Sequence, residues 1–186
     1  MDKTISKPYK IAIVSDTHSV ISPDILNAIK SCDQIIHAGD ICGASVLEQL
    51  HQINPLLTAV TGNNDIASVW DKSEENIVNA LPATAEIKLP SGVIAIEHGH
   101  LHGMHQPDHV SLRAAHPQAR VIVYGHTHTM VVDDSKKPWV INPGAAGNTR
   151  TRGGPSCLIL TIEDDKEWSI EMIRFGHMPS FAITVQ

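Results

Sequence analysis

Residues 11–40, IAIVSDTHSVISPDILNAIKSCDQIIHAGD, decide how the chain is read. Two apolar runs, IAIV at 11–14 and QIIHA at 34–38, have the length and β-branched content of buried strands. Each runs straight into a polar cluster, Ser15-Asp16-Thr17-His18 after the first and Gly39-Asp40 after the second. Between them Ser22-Pro23 opens the segment DILNAIKS, with Ser22 as N-cap and Pro23 at the first helical position. Strand, helix and strand in this order predict a βαβ unit with parallel strands.

The rhythm continues through a second helix over ASVLEQLHQI at 44–53, which stops before Asn54-Pro55, and a strand at LLTAV, 56–60. The rest of the chain carries antiparallel signals. AEIKL and VIAIE flank Pro90-Ser91-Gly92, whose turn chemistry predicts a hairpin. TMVV and PWVIN flank a polar loop at 133–137, and CLILTI and WSIEMIR flank another at 163–167. DHVSLRAAH, 108–116, reads as one more helix. Eight or more strands with about three helices exceed one ordinary sheet, so two packed sheets are expected. No repeat, linker or composition break divides residues 1–186, which read as one domain.

Composition narrows the function classes. Hydrophobic residues make up 42% of the chain and aromatics 4%, so the core is built from Ile, Val, Leu and Ala. The start, MDKTISKPYK, has no apolar core of a secretory signal. No apolar stretch reaches the roughly 20 residues of a membrane helix. Cys32, Cys42 and Cys157 are odd in number and far apart, which points to reduced thiols and a cytoplasmic setting. Of these, Cys42 alone stands near a polar cluster, two residues after Asp40. A net charge of -6 disfavours nucleic acid and acidic membranes as partners.

The polar clusters at strand ends carry the chemistry. Besides Asp16/His18 and Gly39-Asp40, LLTAV leads to Gly62-Asn63-Asn64-Asp65, VIAIE to His98-Gly99-His100, and RVIVY to Gly125-His126-Thr127-His128. Asp16-x-His18 and His126-x-His128 each place two ligands on one side of an extended segment. A glycine precedes Asp40, Asn63 and His126, letting the backbone come close to whatever is bound. Hard oxygen and borderline nitrogen donors together suit a pair of divalent ions. Each pair alone is a weak signal; the conjunction is the strong one.

The ordered set DxH, GD, GNxD, HG and GHTH resembles the calcineurin-like metallophosphoesterases. With Asn142-Pro143-Gly144 it looks like their small bacterial and archaeal phosphodiesterase branch, over residues 11 to about 173. The resemblance implies an α/β fold in four αββα layers, two mixed sheets face to face with helices outside. It implies a metal-dependent phosphoesterase acting on a small phosphodiester, through in-line attack by a hydroxide bridging two divalent ions. The first ion would take Asp16, His18, Asp40 and His128, and the second Asp40, Asn63, His98 and His126, with Asp40 shared. Mn²⁺ is the metal expected; Fe, Zn, Ni and Co also suit the donors.

Around these ligands, Asp65, Thr17 and Thr127 could orient them, and Asn142 either caps the site or serves its turn. Many larger relatives carry a histidine in the place of Asn64, credited with assisting the leaving group. A carboxamide cannot serve as that acid, which turns attention to His100 as a mobile imidazole. The segment 98–109 holds further histidines that either line a substrate pocket or belong to a polar surface loop. Arg150 and Arg152 either contact a substrate phosphate or are solvated. Two alternatives stand beside the phosphodiesterase reading. One is a phosphomonoesterase or nucleotidase with the same centre. The other is a non-catalytic scaffold of the same fold, as in the retromer subunit whose site is degraded. Whether the chain forms a homo-oligomer is left open.

Overall fold

Buried strand patterns in the first third do set the architecture. In a computed structural model describing residues 7–163 and 167–176, β1 (Tyr9–Val14), α1 (Pro23–Ala28), β2 (Gln34–His37), α2 (Ala44–Ile53) and β3 (Leu57–Ala59) alternate. β1 and β2 are parallel with Ile13 opposite Ile36, and β3 follows with Thr58 opposite Ile36. Both faces of β1 are buried. Ala12 and Val14 join a cluster with Ile25 of α1, Ile29 just after it, and Val46 and Leu50 of α2. Ile11 and Ile13 join the other cluster, with Ile94, Val121 and Ile141 of the second sheet. Each fully buried aliphatic side chain contributes roughly 1.5–3 kcal/mol, so a strand apolar on both sides must lie at the centre of the layers.

The second sheet contains β4 (Thr84–Leu89), β5 (Gly92–Glu97), β6 (Val121–Val123), β7 (Met130–Asp133) and β8 (Trp139–Pro143). Its order is β4-β5-β6-β8-β7. The first sheet is completed by β9 (Ser156–Ile162) and β10 (Trp168–Arg174), giving β10-β9-β1-β2-β3. Both are mixed: β9 runs antiparallel to β1, and β4 and β7 run antiparallel to their neighbours in a sheet whose centre is parallel. On the far face of the second sheet α4 (His109–Ala115) buries Leu112 against Ala95, Ile122 and Val140. The layers are therefore helices, sheet, sheet and helix.

The β4–β5 hairpin closes with Leu89 opposite Gly92, leaving Pro90 and Ser91 as the turn. Two expectations change. Ser22 stands at the N-cap of α1, but its side chain makes no capping hydrogen bond. It is held by its backbone, Ser22 N donating to Ala146 O and its carbonyl accepting from Leu26 N. A further helix, α3 (Glu75–Ala80), was not legible because only Val78 of it is buried, so no apolar period marks it. The polar loop read at 163–167 falls partly on residues 164–166, outside the described residues. Among the described residues no helix is long and apolar enough to cross a membrane.

This topology gathers the polar clusters. β1, β2 and β3 are parallel, as are β5, β6 and β8, and their C-terminal ends lead to Asp16, Asp40, Asn63, His98, His126 and Asn142 respectively. Ligand sites of open α/β sheets form at such carboxyl ends.

Candidate metal centre

The loops leaving these strands turn sharply, and the turning residues are the candidate ligands themselves. Asp16, His18, Asp40, His126 and His128 have φ of 54°, 45°, 55°, 70° and 55°. Left-handed backbone at a residue with a side chain is uncommon, and Asp and His tolerate it better than most. Clusters of such residues mark functional sites. Two glycines are required by close approach. A Cβ on Gly62 would overlap Asp40 Oδ1, and one on Gly125 would overlap Ser15 Oγ and lie 2.9 Å from Asp16 Oδ2. The sequence's Gly-before-ligand pattern is thus a matter of space.

Donor atoms of Asp16, His18, Asp40 and His128 converge within 4.8 Å of one another. His128 Nε2 lies 3.3 Å from Asp16 Oδ1 and 3.2 Å from His18 Nε2. His18 Nε2 is 3.7 Å, and His98 Nε2 3.5 Å, from the same Asp40 oxygen, Oδ2. His98 Nε2 is also 4.0 Å from Asp16 Oδ1, and its ring lies 5.2 Å from that of His126. Asp40 therefore links the other three residues of the quartet to His98, with His126 beyond it.

Three imidazoles are oriented from behind. His98 donates Nδ1–H to Ala38 O (2.7 Å), His126 donates Nε2–H to Met104 O (2.7 Å), and His128 donates Nδ1–H to Arg150 O (3.2 Å). As a neutral ring each then offers its other nitrogen as a lone-pair donor, the arrangement metal-binding histidines adopt. Asp16 Oδ1, Asn63 Oδ1 and His98 Nε2 are buried without any hydrogen-bond partner. Buried polar atoms are rarely left unpaired, and each costs about 1–3 kcal/mol when they are. Three orphans among the candidate ligands fit a bound cation.

The electrostatics agree. Burial pushes the Asp16 carboxyl up to about 7, with His98 pulling it down and Asp40 pushing it further. Burial would raise Asp40 too, but His98 and the two N–H groups of Asn64 outweigh it and hold it well below the usual carboxylate range. His98 resists burial because Asp40 and Asp16 hold its proton, up to about 9. His18 is pushed down, and His128 down to about 4, chiefly by burial. Neutral imidazoles and clustered carboxylates are what a divalent ion needs, and the proton on His98 is the one it would displace.

Residues 9–165 match the model of the calcineurin-like phosphoesterase superfamily domain. The chain belongs to that superfamily. It is 32% identical over 165 residues to phosphodiesterase MJ0936 of Methanocaldococcus jannaschii, covering 83% of this chain and 93% of that protein. It is also 32% identical over 160 residues to the probable metallophosphoesterase YsnB of Bacillus subtilis, covering 83% and 85%. In fold it matches the crystal structure of Vps29 complexed with Zn²⁺ from Entamoeba histolytica. The TM-score is 0.77 at 20% identity, with 95% and 98% of the two chains covered.

Around this candidate metal centre, the structure assigns positions to the supporting residues. Asn64 turns to Asp40: its Nδ2 donates to Oδ2 (2.7 Å) and its N to Oδ1 (2.9 Å). Asp65, read from sequence as a residue that could orient the ligands and set beside Asp40, Asn64 and His100 as a catalytic candidate, spends its oxygens on other groups than the donor cluster. It accepts from the backbone N–H groups of Ile41, Cys42 and Gly62 and from Trp70 Nε1. It thereby staples the Asp40 loop to the Asn63 loop. His100 lies beside the rings of His98 and His126, at 5.6 and 6.1 Å, with Nδ1 buried and unpartnered.

Asn142 donates to Gly125 O (2.6 Å) and Thr127 Oγ1 (3.2 Å), bracing the His126 turn. Cys42 Sγ approaches His18 Nδ1 at 3.6 Å. His102 is tied to Glu97, and His109 bridges Asp133 and Tyr124, so neither faces the centre.

Sequence reading missed His37. It is fully buried, accepts from Gly39 N at Nδ1 (3.2 Å) and meets Thr17 Oγ1 at Nε2 (3.0 Å), while Thr17 donates to Ile41 O (3.2 Å). This chain of bonds requires the neutral Nε2–H tautomer and links the Asp16 loop to the Asp40 loop. The available signal was a histidine inside an apolar strand, QIIHA.

Proposed function

We propose that this chain is a cytoplasmic, metal-dependent phosphodiesterase that hydrolyses a small phosphoester. The observation that carries the reading is the convergence of Asp16, His18, Asp40 and His128, with buried atoms of Asp16, Asn63 and His98 left without partners beside it. Asp16, His18 and His128 would hold one ion and Asn63, His98 and His126 the other, with Asp40 between; Mn²⁺ is the metal proposed. Bound divalent ions lower the pKa of water and neutralise charge on the phosphoryl group. The protein's share is to fix the ligands through backbone carbonyls, to hold Asp40 ionised through Asn64, and to keep His18 and His128 neutral.

Relatedness to phosphodiesterase MJ0936 favours diesters over monoesters. The likeness to Vps29 is one observation for the platform reading. Because that Vps29 structure itself holds Zn²⁺, metal binding by this chain would not separate the two readings, and turnover must. Buried carboxylates and imidazoles kept unpaired cost a platform stability with no return. The test is metal-stripped protein reloaded singly with Mn²⁺, Zn²⁺, Fe²⁺, Ni²⁺ or Co²⁺ and assayed on aryl and nucleotide mono- and diesters. Diester hydrolysis with Mn²⁺ is expected. A metal-loaded, folded protein with no turnover across the panel would favour the platform.

A further inference from the structure

Positive charge is scarce around the centre. In the loops that build it (residues 15–20, 40–43, 62–66, 98–106, 125–130 and 142–155) the only Lys or Arg residues are Arg150 and Arg152. Arg150 is bound to the centre twice. Its carbonyl accepts from His128 Nδ1 at 3.2 Å. Its Nη2 lies 2.7 Å from Nε2 and 3.0 Å from Nδ1 of His18, against the N–C–N side of that ring. Among the described residues Arg150 makes no salt bridge.

A guanidinium has five donors and no acceptor, so here it leans on a ring whose lone pair a metal ion would claim. Loading the centre therefore removes the only side-chain partner it has among the described residues. The loop that carries it is anchored at its base: Ala146 N donates to Ser15 O (2.8 Å), and a Cβ on Gly147 would lie 2.5 Å from Thr17 O. Beyond that anchor residues 148–150 are exposed, and the side chain has room to swing.

We infer that Arg150 is the specificity-determining cation of the site, leaving His18 when the centre is loaded and gripping a non-bridging oxygen of an anionic phosphoester. A planar fork suits a phosphate's paired oxygens in a way a lysine does not. The inference rests on the phosphoesterase reading, and its test is chosen to fail separately. Parent, Arg150→Ala and Arg150→Lys proteins are compared in three measurements. These are the affinity of stripped protein for Mn²⁺, the affinity of Mn²⁺-loaded protein for inorganic phosphate by calorimetry, and KM and kcat on an aryl phosphodiester.

In Arg150→Ala, phosphate should bind about ten- to hundredfold more weakly, the range of a charge-assisted hydrogen bond, and KM should rise more than kcat falls. Mn²⁺ should bind no more weakly than in the parent, because the carbonyl to His128 is retained and the contact with His18 is gone. Arg150→Lys should recover part of the phosphate affinity. Phosphate affinity within about twofold of the parent in Arg150→Ala overturns the inference. So does loss of Mn²⁺ binding, which would make Arg150 a support for the ligands instead. A parent that binds phosphate through Arg150 yet turns over no diester defeats the phosphodiesterase reading and leaves this one standing.

Discussion

Asn64 turns its backbone N–H and its carboxamide onto the two oxygens of Asp40, Nδ2 on Oδ2 at 2.7 Å and the backbone on Oδ1 at 2.9 Å. The residue standing where larger relatives carry a leaving-group histidine is here a clamp on the Asp40 carboxylate. Removing the carboxamide frees one oxygen of Asp40 and lets it rotate. Partners of metal ligands are typically worth 10- to 100-fold in affinity. Asn64→Ala should therefore weaken Mn²⁺ binding by about that factor, read by titration calorimetry, while stripped protein melts within a few degrees of the parent. Unchanged affinity would show that the clamp is idle.

Leaving groups should feel the missing acid. With Asn64 committed to Asp40, no group of the motif is placed to protonate a departing alkoxide. Rates over a series of substituted phenyl diesters should fall steeply as leaving-group pKa rises, with alkyl esters far slower than aryl. General-acid help is worth about 10²–10⁴-fold, so a shallow plot would be plain to see. It would point to His100, whose Nδ1 is buried and unpartnered beside His98 and His126.

Loss of single ligands should remove activity without removing the fold. Asp40→Asn and His128→Ala are each expected to lower diester hydrolysis at least about a hundredfold, because activation of the nucleophile depends on the metal. The sheets do not depend on these side chains, so circular dichroism should match the parent. Mn²⁺ should raise the melting temperature of the parent, since it binds the folded array and not the unfolded chain. Near-normal turnover in either well-folded variant would sink the ligand assignment.

His37 predicts an acid limb in stability. Burial pushes its pKa from 6.5 down to about 4, and its two hydrogen bonds need the neutral ring. Between those values the unfolded chain binds a proton that the native state refuses, so stability rises with pH there. The contribution is complete above about 6.5 and is lost as pH falls toward 4. A shift of this size corresponds to something on the order of 3 kcal/mol. Urea titrations of metal-stripped parent and His37→Gln at pH 4.5, 5.5 and 7 should show the two stabilities converging at the acid end. A gap independent of pH would contradict the neutral-histidine account.

Much of this molecule was legible in the sequence, for a physical reason. β1 and β2 are apolar on both faces, so the runs IAIV and QIIHA could lie only at the centre of stacked layers. The Gly-ligand pairs were legible because Gly62 and Gly125 leave no room for a side chain. What escaped had no periodicity or local spacing to betray it. α3 buries only Val78. The staple formed by Asp65 and the link formed by His37 and Thr17 are tertiary bonds between loops about 20 or more residues apart in sequence. Asn64 was legible as a departure from a motif, but the direction of its amide was not.

The left-handed backbone of Asp16, His18, Asp40, His126 and His128 constrains the ways this centre can decay. A β-branched replacement at any of the five would meet a conformational penalty, of order 1–3 kcal/mol, on top of the lost ligand. Asparagine and glycine tolerate that backbone. A lineage that abandons the chemistry while keeping the shape therefore has a narrow set of exits, with asparagine and glycine the cheapest. Sister chains that have given up catalysis should carry those residues at the five positions well above their ordinary frequency, a fossil of the metal written in backbone torsion.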